Sequence, residues 1–131
     1  MKKINPAFII YALVVAFIIC VFLGLLSFNI IGYGVKERCQ LAQEKYSGDC
    51  VHALTQYLED EDNPFRGRNS AIWALGQLGD ERALPALERL YTGNIPPRES
   101  LSQGISQYEL KKAIKLISGF NITAFFWRGG I

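Results

Sequence analysis

The sequence predicts an all-α protein, in which one N-terminal transmembrane helix precedes a small domain of antiparallel helix pairs. Two observations predict this class. An uncharged apolar segment occupies the first quarter of the chain, and the apolar residues beyond it recur at i, i+3, i+4 and i+7 rather than in alternation. We therefore divide the chain into an N-terminal anchor, residues 1–35, and a helical domain with an apolar C-terminal tail, residues 36–131.

The anchor is the clearest element of the sequence. No charged residue lies between Ile4 and Val35, and residues 8–31 are almost continuously aliphatic or aromatic. A helix of that length covers about 36 Å, enough to cross a hydrocarbon core about 30 Å thick. A cleaved signal peptide also begins with a basic tip, but its apolar region is about half as long and ends in small residues. We therefore expect an uncleaved anchor that contacts the lipid bilayer through residues 8–31.

Composition excludes two classes of protein. The chain is 50% hydrophobic and 20% charged, which is too apolar for a disordered protein. The formal net charge is +2, the contribution of Lys2 and Lys3 alone, so the rest of the chain carries balanced charge. A domain without excess positive charge lacks the electrostatic attraction on which nucleic-acid binding depends. We therefore expect no nucleic-acid partner.

Cys39 and Cys50 flank a turn-like segment, residues 46–49, just beyond the anchor. If the flanking segments fold back on each other, the two thiols can form a disulfide, which suits an oxidising compartment. Cys39 is farther from the turn than Cys50, so two buried free thiols remain the alternative. Basic residues flank both ends of the span and leave its orientation open. The cysteines favour a single-pass protein with a cytoplasmic N-terminus and its domain outside the cytoplasm, in the periplasm if the host is bacterial.

Four amphipathic helices are predicted after the anchor, and a short polar segment, residues 36–45, continues the anchor helix. The four apolar stripes lie at residues 51–58, 71–78, 84–91 and 110–117. Asn63 is expected to cap the second of these helices, with Pro64 in its first turn. Gly79 ends it.

The two-residue link after this helix implies an antiparallel hairpin with the next one. Leu75 and Leu87 are expected to fill the seam of that hairpin, and Gly76 to let its two backbones approach closely. A glycine within a helix costs about 1 kcal/mol relative to alanine, and close helix packing is the compensation we expect.

One stretch of the domain carries a recognisable motif. Its residues are Asp62-Asn63-Pro64, Arg66 or Arg68, Ala71, Trp73-Ala74-Leu75-Gly76, Leu78-Gly79-Asp80, Ala83, Leu84-Pro85 and Leu87. Over residues 60–91 this pattern resembles the HEAT repeat, in particular the short HEAT-like repeats named after phycobilisome lyases. The resemblance implies helix pairs stacked in a short right-handed α-solenoid, with Arg66 or Arg68 paired to acids of the neighbouring repeat. It does not imply lyase activity, because the repeat is a scaffold of proteins with many functions.

No part of the sequence has the pattern of an active site. The single histidine, His52, accompanies no nucleophile motif and no glycine-rich phosphate loop. Cys39, Cys50 and His52 together are too few ligands for a zinc site. We therefore predict no catalytic, cofactor-binding or metal-binding residue, no cofactor and no enzymatic activity.

A loop interrupts the helical pattern at residues 92–104, where glycine, proline and serine replace the expected helix. Loops of this length in compact domains are often functional. Ile95, Pro96, Pro97 and Arg98 are therefore candidate contacts for a protein partner. The alternative is a connector without a function of its own.

The C-terminal tail is a second candidate contact. Phe125, Phe126 and Trp127 form a cluster too apolar to hang free in water. Three placements remain open for this cluster: a cap over the end of the repeat stack, the membrane interface, or a protein partner.

These features favour a membrane-anchored protein-interaction module, a scaffold or adaptor without enzymatic activity. The alternative is a small accessory subunit of a larger membrane protein complex, in which Gly24, Ser27 and Asn29 mark the anchor face that packs on another helix. A lyase or cofactor-attachment helper is the third hypothesis, with Cys50 and His52 as its candidate reactive pair.

Overall fold

The computed structural model describes residues 5–119, and its regular elements are all helical. In order they are α1 (Pro6–Lys45), α2 (Cys50–Glu59), α3 (Phe65–Leu78), a 3-10 turn (Glu81–Ala83), α4 (Leu84–Leu90) and α5 (Gln107–Ser118). Within the described residues the prediction of an all-helical chain with one long apolar N-terminal helix is confirmed. The chain divides into two compact units between Gly32 and Tyr33.

The first unit is the apolar part of α1. This helix is long and apolar enough to cross a membrane, a property that signal sequences and core helices of soluble proteins share. Its large apolar side chains are exposed, for example Phe17 at 70%. The polar side chains bond within the helix: the Ser27 hydroxyl donates to the Leu23 carbonyl and the Asn29 amide to the Leu25 carbonyl, each at 2.9 Å. An apolar surface of this extent requires a non-aqueous covering.

The second unit begins with the last turns of α1. Val35, Cys39 and Ala42 recur at helical spacing and are all buried, so this polar-looking stretch contributes to the core. After α1 ends at Lys45, a four-residue turn leads into α2. The Asp49 carboxylate caps α2 by accepting a hydrogen bond of 3.0 Å from the His52 backbone N–H.

Helix α3 is the centre of this unit, and it packs most extensively against α5 and α2. A Cβ atom added at Gly76 would lie 2.8 Å from the Ala113 Cα atom, closer than such contacts allow. Gly76 therefore permits a close helix approach, as predicted, but the neighbour is α5. The predicted seam between α3 and α4 is a minor contact beside the packing of α3 on α5 and α2. Leu75 and Leu87 are nevertheless fully buried.

The two ends of α3 differ in how far the sequence predicted them. Asn63 was expected to cap α3, but Pro64 occupies the cap position and no side chain caps the helix. The buried Asn63 amide donates instead to the Tyr57 carbonyl at 2.9 Å, because that carbonyl at the end of α2 lacks a helical partner. Gly79 ends α3 at φ 61°, a left-handed conformation that glycine adopts at low cost.

A polar cluster ties the end of α1 to the end of α2. The Asp60 carboxylate accepts hydrogen bonds from the Tyr46 hydroxyl and, at 3.0 Å, from the Lys45 ammonium. The Lys45 ammonium also donates to the Asn63 side-chain oxygen at 2.8 Å. The hydrogen bond from Tyr46, helped by the Asp62 backbone N–H and by Lys45, lowers the pKa of Asp60 to about 2.

The buried leucines give a test of the assigned core. Leu75→Ala or Leu87→Ala should lower the free energy of unfolding by about 2–5 kcal/mol, because each removes a fully buried side chain. Chemical denaturation followed by circular dichroism measures the loss. Leu41→Ala is the matched control, since Leu41 is 44% exposed and its truncation should cost about 0.5 kcal/mol. Equal losses at Leu41 and Leu75 would contradict the packing described above.

The lowered pKa of Asp60 predicts a pH-dependent contribution to stability. Its carboxylate stabilises the folded state above the ordinary pKa of 3.8, and this contribution is lost as the pH falls towards about 2. Asp60→Asn should therefore lower the melting temperature at about pH 5 and have a progressively smaller effect towards about pH 2. Asp62→Asn is the control and should change the melting temperature less at every pH. A Tm difference for Asp60→Asn that stays constant over this range would refute the assigned ion cluster.

Candidate functional site

His52 and Cys50, the candidate reactive pair, both make contacts within the folded domain. His52 is exposed, and its Nε2 atom lies 2.9 Å from Gln56 Nε2. The sulfur of Cys50 is bonded to that of Cys39. Across residues 5–119, no three His, Cys, Asp or Glu side chains are grouped so as to hold a metal ion.

The disulfide between Cys39 and Cys50 joins α1 to the first residue of α2. Their Cα atoms are 5.1 Å apart, within the usual range for a disulfide. The turn between the helices brings them together despite their unequal distances from it. Gly48 adopts φ 118° in this turn, and its carbonyl accepts a hydrogen bond of 3.1 Å from the Gln43 amide. A glycine in the turn therefore allows α2 to begin beside Cys39.

The loop between α4 and α5 is held to α3 by one buried side chain. Asn69 is 4% exposed, and its amide donates to the carbonyls of Leu101 and Gly104, at 2.9 and 2.8 Å. Its side-chain oxygen accepts from the Ser106 backbone N–H at 2.8 Å. All three bonds go to backbone groups of the loop. Asn69 therefore fixes the backbone path of the loop and makes no demand on the identity of the side chains there.

A second residue, Glu99, fastens the loop to the start of α5. Its carboxylate accepts hydrogen bonds from the Ser106 hydroxyl and from the backbone N–H groups of Gln107 and Tyr108, the latter two at 2.7 and 3.2 Å. Burial raises the pKa of Glu99, but these three hydrogen bonds outweigh it and the pKa is lowered. The ionised carboxylate is therefore matched to the unpaired N–H groups of the helix terminus.

The hydrogen bonds of Asn69 and Glu99 hold the loop that contains the four predicted contact residues. Pro96, Pro97 and Arg98 are exposed, and Ile95 is half-buried. On the preceding side, the Thr92 backbone N–H donates to the Gln107 side-chain oxygen at 2.7 Å. The segment is thus fastened before and after its exposed part. Neither the Asn69 contact nor the Glu99 contact was predicted from the sequence. An asparagine within an amphipathic helix and an acid ahead of a serine cap were the available signals.

The arginines of the repeat make different contacts from those expected. Arg68 is buried, its Nε atom donates to the Leu58 carbonyl at 2.8 Å, and its guanidinium carbon lies 5.8 Å from the centroid of the Phe65 ring. Within the described residues neither Arg66 nor Arg68 forms an ion pair, so the predicted pairing with acids was wrong there. A buried arginine can use a free carbonyl at a helix end as its partner, since the last carbonyls of α2 lack helical donors.

Other arginines do form ion pairs between elements. Arg89 of α4 pairs with Glu59 of α2 at 2.9 Å, and Arg82 of the 3-10 turn pairs with Asp49 at 2.7 Å. Both pairs are well exposed and each contributes little stability by itself. They nevertheless connect the 3-10 turn and α4 to α2 around the rim of the packed core.

A cavity of about 740 Å³ lies beside these rim contacts. Asp49, Asp80 and Arg82 line it together with apolar groups of α3 and α5. The Arg82 guanidinium is held by both acids, and its hydrogen bonds to Asp80 and then Asp49 raise its pKa. The cation that faces this cavity is therefore already neutralised by the protein itself.

A second groove, of about 420 Å³, is formed by α1, α3, the loop and α5. An added Cβ at Gly34 would lie 3.1 Å from the Trp73 Cη2 atom, so the indole packs over the backbone of α1. Arg38, Arg66 and Leu101 also line this groove. The arrangement combines an aromatic ring, an aliphatic side chain and two cations on one open surface.

The remaining candidate contact lies outside the described residues. Phe125, Phe126 and Trp127 of the apolar tail follow Gly119, the last residue that the structure describes. Within the described residues, the candidate contact surfaces are therefore the loop segment from Ile95 to Arg98 and the groove beside Trp73.

The comparisons with known proteins bear on the repeat. A family model described as HEAT repeats matches residues 37–103, just over half of the chain. The match runs from the last turns of α1 into the loop after α4, beyond the stretch 60–91 where the sequence carries the motif. No curated protein and no solved structure matches the chain significantly. The chain therefore belongs to the HEAT repeat family.

Proposed function

We propose that this protein is a membrane-anchored, non-enzymatic interaction module that acts as a scaffold or adaptor for a protein partner. HEAT repeats are generally protein-interaction modules, and the match over residues 37–103 is the observation that carries the proposal. Under this proposal the anchor holds the domain beside a membrane, where its surfaces bind another protein.

The arrangement of the repeat is proposed as a short α-solenoid. In a solenoid each helix pair contacts the pairs before and after it. Helix α3 has that relation to its neighbours, since it packs against α2 before it and α5 after it. Gly76 supports this arrangement, because the close contact it permits is made with α5, which follows the pair of α3 and α4, and not within that pair.

The proposed anchor is α1 before Tyr33. Its apolar side chains are exposed, and a lipid covering would remove that surface from water. Ser27 and Asn29 donate their polar hydrogens to carbonyls of the same helix, which lowers the cost of placing them in hydrocarbon. Both observations favour a span over an exposed helix in water.

The proposed partner contact is the loop segment from Ile95 to Arg98. Asn69 and Glu99 fix the chain that follows this segment, and the Thr92 contact fixes the chain before it. A contact that is ordered before binding loses less conformational entropy on association. Two consecutive prolines stiffen the exposed part further, because each ring fixes its own φ angle.

Non-enzymatic function is supported by the state of the candidate reactive pair. Cys50 is bonded to Cys39, so its sulfur is not a nucleophilic thiol. A lyase-like or cofactor-attachment role that depended on Cys50 and His52 would first require reduction of this bond. The interaction reading needs no such step.

The second candidate function is an accessory subunit of a larger membrane complex. Gly24 favours it, since an added Cβ there would meet nothing within 4 Å. Packing within the described chain therefore does not require this glycine, whereas a neighbouring helix would benefit from the small residue. Gly24 and Ser27, three residues apart on α1, would then face that helix, whereas Asn29 lies about 140° around the helix from Gly24.

Purification from native membranes in mild detergent tests the adaptor against the subunit. Arg98→Glu should lower recovery of a co-purifying partner about fivefold or more, because the exposed cation lies within the proposed contact. Lys111→Glu makes the same charge change on exposed α5 and should leave recovery unchanged. If Gly24→Leu abolishes recovery and Arg98→Glu does not, the anchor is the contact and the chain is a complex subunit.

A membrane-impermeant maleimide tests the proposed topology, with the N-terminus in the cytoplasm and the domain outside. In a Cys20→Ala background the remaining thiols are Cys39 and Cys50. Labelling of intact cells should occur only after reduction, because the disulfide blocks both sulfurs in an oxidising compartment. Labelling only after lysis, without any reductant, would place the domain in the cytoplasm and contradict the proposal.

A further inference from the structure

The groove beside Trp73 lies close in the chain to the end of the apolar helix. Gly34 lines the groove and is three residues beyond Ile31, the last residue of the apolar segment. Three residues span at most about 11 Å in any conformation and about 4.5 Å in a helix. The polar headgroup layer of a bilayer is about 5–8 Å thick on each side. If α1 spans the membrane, Gly34 lies at or next to that layer.

Trp73 is brought to the same level by its contact with Gly34. A Cβ atom added at Gly34 would lie 3.1 Å from the indole, tighter than an ordinary contact, so α3 places Trp73 directly on this part of α1. The indole is only half-buried by the protein. Tryptophan is enriched at membrane–water interfaces, where its apolar ring and its N–H donor are both satisfied. Tyr33, 73% exposed and one residue before Gly34, is a second aromatic side chain at this depth.

Two arginines, Arg38 and Arg66, supply hydrogen-bond donors for an anionic ligand in the groove. Arg66 is exposed, and the Arg38 guanidinium has its nearest acid, Glu37, at 3.7 Å, too far for a strong hydrogen bond. Both groups therefore retain donors that can reach a ligand. A guanidinium binds phosphate through two parallel N–H donors, which is the geometry that a phosphodiester accepts. Glu37 and Glu109 also line the groove and balance the charge of the two arginines, so recognition there rests on the geometry of the guanidinium donors and not on a net positive charge.

The apolar part of the lining completes the fit. Leu101, 46% exposed, projects from the loop that Asn69 fastens to α3. An exposed leucine beside an indole and two guanidinium groups offers both apolar and anionic recognition on one surface. A phospholipid headgroup with the first carbons of its acyl chains combines those two properties, whereas a free phosphate ion lacks the apolar part.

We propose that this groove binds the phosphate headgroup of a bilayer phospholipid, with Arg38 and Arg66 donating to the phosphate and Trp73 at the membrane–water interface. The proposal rests on the membrane anchoring proposed above. The lipid is then a second contact between the protein and the bilayer, beyond α1. The loop segment from Ile95 to Arg98 does not supply the phosphate-binding arginines, so it remains available to a protein partner.

Tryptophan quenching by brominated lipids tests this assignment in the full chain. Trp127→Phe leaves Trp73 as the single tryptophan. The variant is reconstituted in phosphatidylcholine and phosphatidylglycerol vesicles that carry phosphatidylcholine brominated either near the headgroup or near the terminal methyl. Bromine near the headgroup should quench Trp73 emission at least about twofold more than bromine at the terminal methyl, since the indole sits at the interface.

Paired charge variants in the same background test the phosphate contact. Arg38→Gln with Arg66→Gln should reduce the headgroup-proximal quenching by about half or more, because the bidentate donors are lost. Lys111→Gln with Lys115→Gln removes the same charge from exposed residues of α5 and should leave quenching unchanged. Equal quenching in both pairs would overturn the assignment of the arginines.

Resistance of the chain to alkaline extraction from the vesicles separates this proposal from the anchoring itself. A chain that is extracted is not anchored, and both proposals then fall. A retained chain whose Trp73 is unquenched and emits as in water overturns the headgroup site alone. A retained chain whose Trp73 emission is blue-shifted yet unquenched also overturns it, and shows that the tail or a second copy of the protein covers the groove.

Discussion

The packing of α3 against both α2 and α5 is the constraint on which the helical domain depends. Gly76 makes one half of this packing possible, because any side chain there would strike the backbone of Ala113. Leu75, on the same helix, is fully buried. A small domain has few other sources of stability, so the fit around α3 decides whether the neighbouring helices have a common core at all.

The residues of α3 that do not fill the core position the candidate surfaces. Asn69 bonds the backbone of the long loop, and Trp73 packs on the last turns of α1. Arg68 reaches back to the carbonyl of Leu58 and closes the end of α2. One helix thus supplies the core and sets the path of the loop. A change in the packing of α3 would therefore be felt at both proposed contact surfaces.

Covalent and ionic contacts secure the edges of this arrangement. The disulfide of Cys39 and Cys50 fixes the start of α2 beside α1, at the point where the domain follows the apolar helix. The Asp60 cluster fixes the other end of α2 to Lys45 and Tyr46. Since α2 is held at both ends, the neighbour against which α3 packs is itself well defined. This combination suits a scaffold, whose surfaces must keep their shape without a bound ligand.

Features that depend only on the local order of residues along the chain could be predicted before the fold was known. The apolar segment of α1 follows from an unbroken run of uncharged residues, and the helices of the domain from their 3.6-residue period. The end of α3 at Gly79 was also predicted, because the left-handed conformation found there depends on the residue type at that one position. The exposed prolines of the loop were visible for the same reason.

Which helices contact each other could not be predicted in this way, because those contacts join residues that are distant in the chain. Gly76 was recognised as a site of close approach, but its neighbour is in α5, separated from it by more than thirty residues. Asn63 resembles a helix cap in sequence, yet its amide is used by a carbonyl of α2. Asn69 and Glu99 appear ordinary until the loop folds back over α3. A helical period predicts that one face of a helix is buried, but it does not predict which element covers that face. Contacts between distant elements depend on the packing of the whole core.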